Sequence, residues 1–147
     1  MTEIRPIAER DHDAWRGLFR DYGLFYETEF GDDVLDGVWA WLLDPAHEVS
    51  ALVADDAGEV VGFAHIRRLH DTFTAGTAWF LDDLYVLPDR RGQGIARALI
   101  ERGYEDATAA GGGTFRWITA ADNETAQQLY DRIATRAGWV VYEKELG

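Results

Sequence analysis

The sequence predicts a mixed α/β fold, and three observations predict it. Runs rich in β-branched and aromatic residues alternate with stretches whose apolar residues recur at helical spacing. The resulting order is strand, two helices, three strands, helix, strand, helix, strand. Residues 81–100 (LDDLYVLPDRRGQGIARALI) read as a strand, a glycine-rich turn and a helix. The strand–helix–strand unit over 77–119 should therefore be a right-handed parallel crossover. With 147 residues, no internal repeat and no dividing linker, the chain reads as one domain over 1–147.

Each element has its own signal. Residues 2–8 alternate loosely and predict a short strand, with Pro6 marking an edge. Asp11 stands where it can cap the next helix, in which Trp15, Leu18, Phe19 and Tyr22 follow at i, i+3, i+4 and i+7. Gly23 should interrupt that helix. A second helix is predicted over 32–43, stopped by Asp44-Pro45. Strands over 49–54 and 60–69 flank Asp55-Asp56-Ala57-Gly58, a hairpin with a loop of about four residues. The strand over 77–86 ends before Pro88, which has no N–H to give a ladder. The following helix runs to about 108, and three glycines at 111–113 close it. A short strand over 114–119, a helix over 125–136 and a final strand over 139–146 complete the chain.

Composition narrows the function. A formal charge of −13 argues against nucleic acid as a partner and suits a cationic substrate through long-range attraction. An acidic surface also aids solubility. The absence of cysteine excludes disulfides, a thiol nucleophile and thiolate zinc sites. The four histidines (His12, His47, His65 and His70) are scattered without metal-ligand spacing, so no metal is expected. No apolar signal region and no stretch of membrane-spanning length is present, so the expectation is a cytoplasmic protein with no membrane partner. Six Trp, six Tyr and seven Phe suit a core, a pocket lining or a subunit interface, and leave a homodimer open.

The turn after the strand carries the chemistry. Glycines just before a helix bring backbone N–H groups to the positive end of its dipole, which makes an anion site. The turn lacks the Gly-Lys-Ser/Thr ending of a Walker loop. Counted from Gly92, the third small residue of a dinucleotide fingerprint is replaced by Arg97. The run Arg91-Gly92-Gln93-Gly94-Ile95-Ala96 does fit the pattern Q/R-x-x-G-x-G/A. There the sequence resembles the GNAT superfamily of acetyl-CoA-dependent N-acetyltransferases, and the element order resembles that fold over essentially the whole chain. The resemblance implies a mixed central sheet with helices on both faces. It also implies that Arg91, Gly92, Gln93, Gly94, Ile95 and Ala96 cradle the pyrophosphate of coenzyme A. Leu84, Tyr85 and Val86 would offer backbone groups to the pantetheine arm and to the oxyanion. A second block, residues 122–130 (DNETAQQLY), resembles the GNAT motif with an Asn before a helix and a Tyr on it. It implies that Asn123 and Ala126 meet the coenzyme and that Tyr130 protonates the departing thiolate. The sequence departs from the family pattern where residues 131–137 intervene before Gly138-Trp139.

Adjacent aspartates in an apolar strand need a reason, because an unpaired buried carboxylate is costly. Side chains alternate across a sheet, so Asp82 and Asp83 should face opposite ways, one toward a cleft where it can hold an ammonium and take its proton. Satisfying backbone N–H groups at a bulge is the other reading. The 81–86 run resembles the matching strand of the diamine (spermidine/spermine) acetyltransferases, which implies that Asp82 relays the proton and Asp83 lies near the amine. A looser similarity points to the fungal histone/polyamine acetyltransferases. Tyr26 and Glu29, beside the first helix, and Trp117 are candidates for the acceptor wall. The expected activity is acetyl transfer from acetyl-CoA to a primary amine of a polyamine, small amino compound or protein lysine, by direct attack in a ternary complex. The rival is a non-catalytic acyl-CoA sensor, against which Tyr130 argues. Hydroxyl acylation would want a histidine base at the site, and the sequence shows none placed for it.

Overall fold

The computed structural model describes residues 2–147. In chain order it forms β1 (Thr2–Pro6), α1 (His12–Phe25), α2 (Asp32–Leu43), β2 (Val49–Asp56), β3 (Glu59–Asp71), β4 (Gly76–Val86), α3 (Ile95–Ala109), β5 (Phe115–Arg116) and α4 (Glu124–Ile133). The strands lie side by side in sequence order, antiparallel except that β4 and β5 run parallel across the α3 crossover.

Strand alternation sends successive side chains to two cores. Val53 and Phe63 face α1 and α2, where Trp15, Leu18, Phe19 and Leu35 cover them. Leu52, Ala64, Leu81 and Val86 face the other way, under Ile95, Leu99 and Ile100 of α3, with Tyr130 and Ile133 of α4 at the margin. Helices thus cover both faces of the sheet. Each large side chain fully buried here contributes about 1.5–3 kcal/mol.

Several local expectations are corrected. The hairpin turn is two residues, not four, because β2 and β3 pair as far as Asp56↔Glu59. Ala57 (φ +53) and Gly58 (φ +97) adopt the left-handed geometry that matches strand twist. Helix α1 runs through Gly23 to Phe25. The glycine is there for space, since an added Cβ would lie 2.7 Å from the Phe30 ring and 2.8 Å from the Thr28 carbonyl. Asp11 precedes α1 but its side chain does not cap it, because the carboxylate is taken by Arg5 and by the Ala8 N–H. Helix α4 ends at Ile133, short of the expected 136.

The strand over 114–119 shrinks to Phe115–Arg116, which meets β4 only at Trp79↔Phe115 and Phe80↔Arg116. Beyond Phe80 the two chains part, and the gap between them opens the cleft described below. The final strand over 139–146 does not form. Residues 134–147 are exposed throughout, and Trp139, Tyr142 and Leu146 are 76%, 91% and 92% accessible. Its alternating pattern is present, but a strand is defined by a partner, and among the described residues none pairs with it.

Candidate active site

The turn between β4 and α3 is shaped by Gly92 (φ +80) and Gly94 (φ +81). Gly94 begins α3 without a side-chain cap, so the first amides of the helix, at Ile95, Ala96 and Arg97, have no intrahelical carbonyl to bond. No acidic residue sits in this first turn, and an added Cβ at either glycine would stand in open space. These donors therefore face an anion-favouring pocket. Arg91 ties the turn to the strand: its Nε donates to the Val86 carbonyl at 3.0 Å and its guanidinium lies 5.4 Å from the Tyr85 ring centre.

A cleft of about 740 Å³ starts at this turn. Gly92, Gly94, Ile95 and Ala96 line one end, with Arg91 beside them. Leu84, Tyr85 and Val86 of β4 form one side, and Asn123, Ala126 and Tyr130 of α4 form the other. Tyr22, Tyr26 and Trp117 border its far end. Asn123 caps α4 by accepting the Ala126 N–H at 3.3 Å. Tyr130 packs edge-on against Trp117, ring centres 5.4 Å apart. Burial first, and then the nearby Tyr26, push the Tyr130 phenol above its ordinary value of 10.0, so it keeps its proton at neutral pH. Asp82 borders the cleft, but three expected residues do not: Gln93 and Glu29, which are exposed, and Asp83.

The two aspartates part company at a bulge. In β4, Asp83 stands opposite His65 and Leu81 opposite Ile66, which leaves Asp82 as the extra residue. Both Asp82 oxygens are held by Arg67, through Nε and Nη2, each at 3.0 Å. Asp83 lies on the α1 side of the sheet. It does not border the cleft. Its Oδ2 is 2.8 Å from His65 Nδ1, while the hydroxyl of Tyr22, which does border the cleft, donates to the Asp82 carbonyl at 3.5 Å. Behind His65, Trp15 Nε1 donates to His65 Nε2 at 2.9 Å, with both rings buried. A histidine does therefore stand at the site, contrary to expectation, but both its nitrogens are engaged and it offers no free base. Its signal was the antiparallel register of β3 and β4, which sets position 65 across from 83. Arg67 shares that hairpin and was likewise missed.

An anion-binding turn leading into a long cleft, lined by strand backbone and closed by a protonated phenol, fits a diphosphate carrying an extended thioester arm. The model of the Acetyltransferase (GNAT) family matches residues 12–134. The chain is 29% identical over 143 residues to D-amino-acid N-acetyltransferase HPA3 of Saccharomyces cerevisiae, covering 96% of this chain and 89% of that protein. It is 37% identical over 101 residues to Aminoglycoside N(6')-acetyltransferase type 1 of Stenotrophomonas maltophilia, covering 66% of this chain and 61% of that one. In fold it superposes on the aminoglycoside acetyltransferase AAC(6')-Iy, solved with a bisubstrate analogue of CoA, at a TM-score of 0.86 and 22% identity, covering 100% of this chain and 99% of that one. The chain belongs to the acetyltransferase (GNAT) family and is an acetyl-CoA-dependent N-acetyltransferase.

Proposed function

We propose that this chain moves the acetyl group of acetyl-CoA to a primary amine of a small molecule by direct attack in a ternary complex. One observation carries the reading: the Tyr130 phenol, the α3 turn and the Tyr22 edge of the acid-bearing bulge all border one cleft. Acetyl-CoA supplies the activated carbonyl. The amides of Gly92, Gly94, Ile95 and Ala96 hold its diphosphate, and Arg91 keeps that turn in place. Leu84, Tyr85 and Val86 present backbone groups to its arm, with Asn123 and Ala126 opposite. The amine lone pair attacks the acetyl carbon, a backbone N–H of β4 steadies the oxyanion, and the C–S bond breaks as Tyr130 gives its proton to the sulfur.

Asp83 carries the charge that draws the ammonium in. The charge of Asp82 is cancelled by Arg67, which holds both of its oxygens. Tyr26 and Trp117 form the acceptor wall, while Glu29 adds only to the long-range acidic field. The two relatives above are named for a D-amino acid and an aminoglycoside, which favours a small amine over a protein lysine. We further propose a homodimer in which residues 134–147 dock on a second copy, since so many apolar side chains stand exposed there.

The test is release of free thiol from acetyl-CoA on adding a panel of primary amines, with the acetylated product identified by mass. Tyr130→Phe should lower kcat by about 100-fold while leaving the heat of CoA binding intact. Equal turnover in the variant removes Tyr130 from the mechanism. CoA binding with no amine acetylated returns the chain to the sensor reading.

A further inference from the structure

Arg67 has more donors than Asp82 uses. A guanidinium carries five N–H groups in one plane. Asp82 takes one from Nε and one from Nη2, each at 3.0 Å, which fills the side edge of the fork. The end edge sets one N–H of Nη1 beside the second N–H of Nη2, and among the described residues nothing accepts from it. Two parallel donors of this kind fit the two oxygens of a carboxylate. The Arg67 side chain is 42% exposed, so a ligand can reach that edge.

Two neighbours hold the edge in one place. Asp82 fixes its direction in the plane, and the Phe80 ring centre lies 5.2 Å from the guanidinium carbon. Both come from β4. Arg67 stands opposite Phe80 in the ladder, and the bulge brings Asp82 to the same arginine. The pair sits at the acceptor end of the cleft. Asp82 borders the cleft, and the Tyr22 hydroxyl is 3.5 Å from its carbonyl oxygen. Val86, beside the diphosphate turn, is four residues further along β4, roughly 13 Å away.

Resting on the transfer reading above, we propose that Arg67 is a specificity-determining residue whose free edge binds a carboxylate of the acceptor, so that the molecule acetylated is an amino acid. The carboxylate docks on Arg67 at the rim, and the amine of the same molecule reaches into the cleft toward the thioester. Charge balance favours this ligand over other anions. Asp82 neutralises Arg67, so the edge offers directed hydrogen bonds rather than surplus positive charge. A phosphate dianion would be repelled by a chain of formal charge −13. An amino acid brings an ammonium with its carboxylate and is neutral overall.

The experiment measures kcat/KM for n-butylamine and for acceptors paired as acid and amide: glycine, D-alanine, L-alanine, β-alanine and 4-aminobutanoate, each with its carboxamide. Rates are compared at equal free amine, which removes the lower basicity of the amides. Wild type should favour the acid in at least one pair by roughly tenfold or more. Arg67→Gln should abolish that preference, mostly through KM, with the heat of CoA binding unchanged. Arg67→Lys keeps the charge but not the fork and should recover only part of it; full recovery would make charge alone the cause and overturn the proposal. Arg67→Gln also unmasks the charge of Asp82, so the double variant with Asp82→Asn is the control. A preference that stays lost there supports the proposal, and one that returns assigns the effect to Asp82 and overturns it. Wild type that acetylates the amides or n-butylamine as well as the acids overturns the proposal without any variant and leaves amine transfer standing. Wild type that binds acetyl-CoA and acetylates none of these acceptors ends the transfer reading and this inference with it.

Discussion

Arg67 grips the Asp82 carboxylate with two parallel donors, Nε to Oδ2 and Nη2 to Oδ1, each at 3.0 Å. The hydrogen bond to Asp82 first, and then its charge, raise the Arg67 guanidinium above its already high ordinary value. This fork leaves the two neighbouring acids unequal, since among the described residues Asp83 pairs with His65 and with no arginine or lysine. Asp83→Asn is therefore expected to lower kcat/KM for a basic amine by about 100-fold, and Asp82→Asn by less than tenfold. Steady-state kinetics on the two purified variants checks this, and the reverse order would assign the charge to Asp82.

Asp11 is the clearest source of acid sensitivity. Its carboxylate, 3% exposed, accepts from Arg5 Nη1 at 2.8 Å and Nη2 at 2.9 Å, and the Ala8 N–H adds a third bond. The Arg5 hydrogen bonds first, with the Ala8 N–H behind them, hold the Asp11 carboxyl below its ordinary value of 3.8 against the opposing effect of burial. A depressed acid stabilises fully above the unfolded value and loses that contribution as pH falls through the folded one. Asp11→Asn should cost about 2–3 kcal/mol at pH 7, moderated because Arg5 keeps Asp55. The gap from wild type should be flat above about pH 5 and close as pH drops below about 4. Denaturant unfolding across pH tests both the size and the sign.

Two glycines with similar backbone angles should respond very differently to alanine. At Gly94 (φ +81) the space is open, so only backbone strain of about 1 kcal/mol is expected. At Gly113 (φ +101) an added Cβ would overlap the Thr77 carbonyl oxygen, at the point where Trp79 pairs back to Thr114. Gly113→Ala should cost about 3 kcal/mol or more. Melting curves rank the pair, and titration with CoA should show the larger loss of affinity for Gly94→Ala.

The tail carries its own forecast. Wild type should sediment as a dimer, and Trp139→Ser with Tyr142→Ser should sediment as a monomer. A monomeric wild type would leave those exposed side chains without an occupant and end the dimer proposal.

Local chemistry was legible where a residue acts on its near neighbours. Asn123 caps α4, Pro88 follows the end of β4, and the glycine turn opens α3, as their types and spacing require. What escaped depends on residues far apart in the chain. His65 looks like a lone polar residue in an apolar strand until register sets it opposite Asp83 and packing brings Trp15, fifty positions away, against its other nitrogen. The rule of opposite faces for Asp82 and Asp83 held only loosely, because one inserted residue broke the ladder between them. The final strand failed for a related reason: alternation sets a preference, but a ladder needs a second backbone.

The early parting of β4 and β5 leaves the main chain of Leu81 through Val86 uncovered along one side. A bare strand of that length normally invites adhesion by neighbouring chains. Here it lies at the bottom of a crevice and is warped by the Asp82 insertion, so a flat foreign ribbon cannot lie against it while a slender chain can. The opening that admits a substrate is thereby also a safeguard against clumping.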